Sequence, residues 1–141
     1  MSRVAIVTGG TRGIGAAISK LLHQNGYKVA ANYAGNAERA KAFEAETGIK
    51  AYKWDVASFE DCANGVKQVE RDLGPVDVVV NNAGITRDGT MHRMTFEQWN
   101  AVTQTNLASC FNMSRCVIDS MRERNFGRIV NIGSINGQAG Q

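Results

Sequence analysis

A chain of 141 residues with 43% hydrophobic residues, 21% charged residues and a single proline holds enough apolar material for one compact domain and too little charge for a disordered one. The net charge of +3 comes from interspersed acids and bases without a basic run, which reads as a solvated surface and argues against nucleic acid as a partner. No apolar run reaches bilayer-spanning length, and Arg3 and Thr8 interrupt the N-terminus where a secretion signal needs a continuous apolar stretch, so a soluble cytoplasmic protein is expected, without a membrane partner.

From the N-terminus, Val4-Ala5-Ile6-Val7 is a continuous apolar run ending in a glycine-rich turn, as a buried parallel strand requires. Ile14, Ala17, Ile18, Leu21 and Leu22 recur with helical spacing and predict one apolar helix face, closed by Asn25-Gly26. A second strand is expected over 28–32, a helix over 37–47 stopping at Gly48, and a third strand over 50–55. Ser58 is a candidate cap for a helix whose Cys62, Val66, Val69 and Leu73 share a face and which Gly74-Pro75 ends. Residues 76–80 form a strongly β-branched fourth strand. Thr95 and Gln98 make a capping box for a long helix ending near Arg124, and a fifth strand follows over 128–132.

Strands alternating with helices predict an α/β fold: a Rossmann-type doubly wound parallel sheet with helices on both faces and its ligand at the carboxyl ends of the strands. Each unusual segment follows a strand: 8–15, 32–36, Asp55-Val56, 81–84 and Gly133-Ser134. Such turns share one edge of the sheet and make one site.

Between the first strand and first helix stands Thr8-Gly9-Gly10-Thr11-Arg12-Gly13-Ile14-Gly15. Glycines allow a sharp turn and a close backbone approach, and the helix N-terminus offers free N–H groups and partial positive charge to a pyrophosphate. Gly9, Thr11, Arg12, Gly13, Ile14 and Gly15 are therefore candidate cofactor-binding residues. Strand two ends in Asn32-Tyr33, and no acid lies between Gly15 and Glu38 to hold an adenosine ribose. Arg12 and Arg39 stand instead where a 2′-phosphate would lie, which favours NADP(H) over NAD, although Arg39 also fits a solvated helix residue. Tyr33 borders the same position. Cys62, Cys110 and Cys116 show no metal-binding spacing and are expected as reduced, buried thiols; His23 and His92 stand alone, and no metal site is expected.

The T-G-x-x-x-G-I-G turn, Asn81-Asn82-Ala83-Gly84 after strand four, Asn106 in the long helix and Ser134 after strand five, in that order, resemble the short-chain dehydrogenase/reductase superfamily over the whole chain. The resemblance implies that Asp55, with Val56 beside it, contacts the adenine amino group, where a capping or loop role is the plainer alternative. It implies that Asn82, Ala83 and Gly84 line the cofactor and that Asn81 ties strand four to its neighbours. Ser134 is implied as a catalytic hydrogen-bond donor to the substrate carbonyl, and Asn106 as the residue that holds a helix distortion and a water of the proton relay. Without the resemblance these two read as a turn residue and a buried hydrogen-bonded one.

Ala83-Gly84-Ile85-Thr86-Arg87-Asp88 and the tail N-G-Q-x-G-Q from Asn136 to Gln141 resemble, within the superfamily, the acetoacetyl-CoA reductases of polyhydroxybutyrate synthesis. The 3-oxoacyl-[acyl-carrier-protein] reductases share the first stretch and are the alternative. This likeness implies an acyl-CoA thioester substrate approached by Asp88 and Gln141, and a homotetramer built partly on the long helix. The superfamily's Y-x-x-x-K pair is implied about a dozen residues beyond the serine. Tyr27, Tyr33 and Tyr52 each lack a lysine four residues on. Residues 1–141 are therefore expected to be an NADP-binding Rossmann domain incomplete at its C-terminus, truncated after the fifth strand and inactive alone; a non-catalytic nucleotide-binding module is the remaining alternative.

Overall fold

Val4–Val7 (β1) is buried along its whole length, because it lies at the centre of the sheet with helices on either side. The computed structural model describes residues 2–140. Five parallel strands are ordered β3-β2-β1-β4-β5, with β2 at Lys28–Tyr33, β3 at Lys50–Lys53, β4 at Val76–Asn81 and β5 at Arg128–Asn131. This is the Rossmann-like arrangement expected from the alternation of elements.

Side-chain alternation divides the core in two. Val4 and Ile6 face the helices α3 (Phe59–Leu73) and α5 (Ser109–Glu123), packing with Val66, Val69, Met113 and Val117. Ala5 and Val7 face α1 (Gly13–Gln24) and α2 (Ala37–Thr47), with Phe43, Ile49 and the half-buried Ile18 and Leu22. The register between β1 and β4 slips by one residue, since Val4 pairs with Val76 but Ala5 with Val78. The bulge turns Asp77 out of the ladder. Its carboxylate accepts the N–H of Val4 at 2.9 Å and pairs with Arg124 at 2.7 Å.

The helix caps form as the sequence predicts. Ser58 accepts the N–H of Asp61, Gly48 closes α2 in the left-handed region at φ 73°, and Thr95 and Gln98 complete a capping box. Two expectations need correction, on α1 and on the thiols. Ile14 and Leu21 on α1 are 66% and 62% exposed and Ala17 is exposed as well; Gly15 and Ser19 are the buried residues, because small side chains let the helix press against the turn before it. The long helix carries a distortion where the resemblance implied one: α4 (Phe96–Thr103) passes through a π-helical turn at Gln104–Ala108, which contains Asn106, before α5 begins. Of the three thiols only Cys62 is buried. Burial pushes its thiol up to about 12, so it is a neutral packing group. Two short elements have no sequence signal, a 3₁₀ turn at Met91–Arg93 and α6 at Asn136–Ala139. Among the described residues no helix is long and apolar enough to cross a membrane.

Candidate functional site

The turn leaving β1 is shaped by its glycines. Gly9 and Gly13 have φ of 59° and 54°, a region that costs other residues energy. At Gly15 a Cβ would run into the carbonyl of Gly9 and lie 2.6 Å from Nδ2 of Asn82, so only glycine lets α1 start there. Ser19 Oγ donates to the Gly10 carbonyl at 3.0 Å and fixes the helix beneath the turn. Arg12, extended at the N-cap position, makes no side-chain cap, which leaves the first-turn N–H groups of α1 without a side-chain acceptor.

Two buried polar residues lace this turn to the neighbouring strands. Thr8 Oγ1 accepts the N–H groups of Asn82 and Ala83, each at 2.9 Å, and Asn82 Nδ2 donates to the Thr8 carbonyl at 3.0 Å. Asn32 accepts the Gly9 N–H on Oδ1 at 3.3 Å and donates from Nδ2 to the Trp54 carbonyl at 3.0 Å. The ends of β1, β2, β3 and β4 are thereby held together. Sequence reasoning assigned neither residue a role. The available signal was a polar side chain at the end of an otherwise apolar strand, since a buried polar group must find partners.

These strand ends enclose a cleft of about 800 Å³. All thirteen residues expected at a cofactor, from Gly9, Thr11, Arg12, Gly13, Ile14 and Gly15 through Tyr33, Arg39, Asp55 and Val56 to Asn82, Ala83 and Gly84, line this one cleft. Ala34, Gly35 and Asn36 of the 32–36 segment, Ile85 of the Ala83–Asp88 stretch and Thr105 also line it without having been named as cofactor residues. Arg12 and Arg39 are both solvent-exposed at its wall, and Asp55 Oδ1 accepts the Ala57 N–H at 2.9 Å. Asn82 lines the cleft with its amide already committed to Thr8, so it shapes the wall through backbone placement. Asn81 donates to Asn131 Oδ1 at 2.9 Å and so links β4 to β5.

The remaining candidates lie outside this lining. Asn106 sits in the π turn, and its side chain grips the backbone of Ile85 in the cleft wall. Its carbonyl is contacted by Cys110 Sγ at 3.7 Å. Ser134 follows β5 on the same edge of the sheet, exposed, with Oγ accepting the Asn136 N–H at 3.1 Å. Asp88 is exposed in the stretch after Gly84, and Gln141 lies outside the described residues.

Comparison with known proteins agrees with this geometry. Residues 3–141 match the family model described as short chain dehydrogenase. The chain is similar to proteins named acetoacetyl-CoA reductase from Shinella zoogloeoides and Rhizobium meliloti (strain 1021), each 66% identical over 141 residues, covering 100% of this chain and 58% of the relative. It is also similar to a protein of Haemophilus influenzae named 3-oxoacyl-[acyl-carrier-protein] reductase FabG, 41% identical over 140 residues, 98% of this chain and 57% of the relative. The chain thus spans about 58% of the length of the curated relatives it matches.

Proposed function

The chain belongs to the short chain dehydrogenase family, and from that premise we propose that the whole protein is an NADPH-dependent acetoacetyl-CoA reductase forming (R)-3-hydroxybutyryl-CoA. The observation that carries the cofactor half of this reading is that Arg12 and Arg39 line the glycine-turn cleft while β2 ends in Asn32-Tyr33 rather than an acid. The cleft suits a dinucleotide: it is of ligand-pocket size, and the Gly15 position admits no side chain beside the turn. The first-turn N–H groups of α1 bind the pyrophosphate. Arg12 and Arg39 hold the 2′-phosphate through their guanidinium forks. The Asp55 carboxylate, with Val56 beside it, would accept the adenine amino group, and Asn82, Ala83 and Gly84 would line the cofactor, their backbone approaching a ribose.

Bound NADPH supplies the hydride that adds to the 3-keto carbon. Ser134 donates a hydrogen bond to the keto oxygen as negative charge develops there. Its Oγ accepts from Asn136, which leaves the hydroxyl proton free for this bond. Asn106 holds the π turn and a water of the proton relay. Asp88 and Gln141 approach the thioester. The proton donor is a tyrosine of a Y-x-x-x-K pair outside residues 1–141, so these residues form the NADP-binding part of the domain and are inactive alone. The whole protein is a cytoplasmic homotetramer; exposed Phe96, Trp99, Leu107 and Phe111 along the long helix support an interface there.

The relatives named FabG favour a second reading, with an acyl-carrier-protein thioester as substrate. Measuring kcat/KM of the whole protein for acetoacetyl-CoA and for acetoacetyl-[acyl-carrier-protein], each with NADPH and NADH, separates the two. Preference for the CoA thioester with NADPH is expected. Preference for the carrier-protein thioester establishes the second reading, and no turnover of either, with dinucleotide still bound, leaves a nucleotide-binding module.

A further inference from the structure

We infer that Asn32 and Asn112 are positioning residues: two buried carboxamides hold the peptide on either side of Asp55 and so set its carboxylate for the adenine amino group. The inference rests on the reading of the cleft as an NADP site. Asn32 Nδ2, from β2, donates at 3.0 Å to the carbonyl of Trp54, the residue before Asp55. Asn112 Nδ2, from α5, donates at 3.0 Å to the carbonyl of Val56, the residue after it. The donors come from 22 and 56 residues away in the chain and approach from different elements. Between them, the Asp55 carbonyl accepts the Ser58 N–H at 3.1 Å, and Oδ1 accepts the Ala57 N–H at 2.9 Å. One carboxylate oxygen is therefore anchored within the loop, and the other is left for a ligand in the cleft that Asp55 lines.

Both amides are costly unless paired, since Asn32 is 2% exposed and Asn112 7% exposed. Removing Asn32 takes the donor from the Trp54 carbonyl, and removing Asn112 leaves the Val56 carbonyl to the weaker thiol contact from Cys62 at 3.5 Å. Asp55 itself is exposed, so the loop has an easy response: it shifts outward, hydrates the carbonyl and carries Asp55 with it. The consequence is specific to the adenine end of the cofactor. Asn112 is the cleaner probe, because Asn32 also accepts the Gly9 N–H in the phosphate turn. Asn112 also ties this loop to the helix that continues from the π turn bearing Asn106.

The test compares NADPH with its hypoxanthine analogue, which lacks the adenine amino group, by measuring dissociation constants on the whole protein. Wild type is expected to favour NADPH by about tenfold, one charge-assisted hydrogen bond's worth. In Asn112→Leu that ratio falls toward one, and Asn112→Gln, which restores a donor, recovers part of it. Asn112→Ser serves if the leucine variant lacks a cooperative melt. A folded variant that keeps the wild-type ratio, or that weakens both dinucleotides equally, overturns the inference while leaving the cofactor reading intact. A wild-type protein that binds NADPH without discriminating between the two removes the role of Asp55, and this inference with it. A wild-type protein that binds neither defeats the cofactor reading itself.

Discussion

Asn106 spends both ends of its carboxamide on one residue: Oδ1 accepts the N–H of Ile85 at 2.8 Å and Nδ2 donates to the Ile85 carbonyl at 2.9 Å. The side chain is a clasp between the π turn and the cleft wall. Asn106→Ala should therefore remove the clasp while water re-solvates the exposed Ile85 groups. The stability cost is expected at about 1 kcal/mol or less, because exposed groups regain solvent bonds. In the whole protein kcat should fall by about 10²-fold or more, the scale of a proton-transfer contribution. Thermal melts beside steady-state kinetics check both parts, and a normal kcat would reduce the clasp to a structural detail.

Ser134→Ala in the whole protein should lower kcat far more than it raises the KM for NADPH. The hydroxyl is assigned to charge that appears only in the transition state, where one donor contributes about 2.7–4 kcal/mol, or 10²–10³ in rate. Removing Oγ also deletes the acceptor for the Asn136 N–H, but both groups are exposed, so the melting temperature should barely move. An unchanged kcat would mark Ser134 as a turn residue only.

Cofactor choice is expected to rest on charge at the mouth of the cleft. Arg12→Ala and Arg39→Ala should each lower kcat/KM for NADPH by about 10–100-fold, the loss of one charge-assisted bond, and leave NADH turnover nearly as it was. Raising the salt concentration should narrow the NADPH advantage, since both guanidiniums are solvent-exposed. If Arg39→Ala leaves the NADPH preference intact, that side chain is a solvated helix residue.

The alternation of strands and helices and the caps of α2, α3 and α4 were legible from local signals: apolar runs, glycine punctuation and capping side chains. The gathering of thirteen candidates at one cleft followed from the glycine turn and, for Asp55, Val56, Asn82, Ala83 and Gly84, from the family resemblance. The buried face of α1 was not legible. There the sheet-facing positions belong to Gly15 and Ser19, chosen for close approach, while Ile14 and Leu21 supply the apolar period on the exposed side. Periodicity did not show the π turn, because one extra residue in a helical turn changes no composition; only the family resemblance implied a distortion at Asn106. The bonding roles of Thr8, Asn32 and Asn112 were not visible for another reason: their partners lie 22 to 75 positions away, and a polar residue at a strand end signals only that it needs a partner, not which one.

Asp77 gives a pH signature. Burial alone would raise its carboxyl, but the Val4 N–H and Arg124 hold it below the ordinary value of 3.8. With the folded value below the unfolded one, its stabilisation is complete above the unfolded value and is lost as pH falls from near 4 through the folded value. Asp77→Asn should cost about 1–3 kcal/mol at neutral pH, since Arg124 is left without its charge partner. The gap in melting temperature between wild type and variant should shrink on acidification below pH 4. A gap that stays constant from neutral pH to pH 3 would show that the bulge, rather than the charge, provides the stabilisation.

The last prediction concerns residues 1–141 as an isolated polypeptide. Among the described residues, β5 pairs with β4 on one side and has no strand on the other, while Val130 and Ile132 are 45% and 43% exposed. A parallel edge strand with apolar side chains and unpaired backbone groups is a template for pairing with another chain. On the adjoining helices Phe59 and Phe111, with ring centroids 6.4 Å apart, add aromatic surface, and Leu107 and Trp99 are also exposed. Near neutrality the net charge of +3 offers little repulsion against association. The isolated polypeptide is therefore expected to elute above its 15.3 kDa mass on size exclusion and to exchange amide hydrogens faster in β5 than in β1 or β4. It should show no acetoacetyl-CoA-dependent oxidation of NADPH, because none of its tyrosines stands in a Y-x-x-x-K pair; weak NADPH binding remains compatible with the intact turn and cleft. Turnover by a homogeneous preparation would overturn the assignment of the proton donor outside these residues. A monomer that melts in one sharp transition would show that the β5 edge and aromatic surface cost less than their exposure implies.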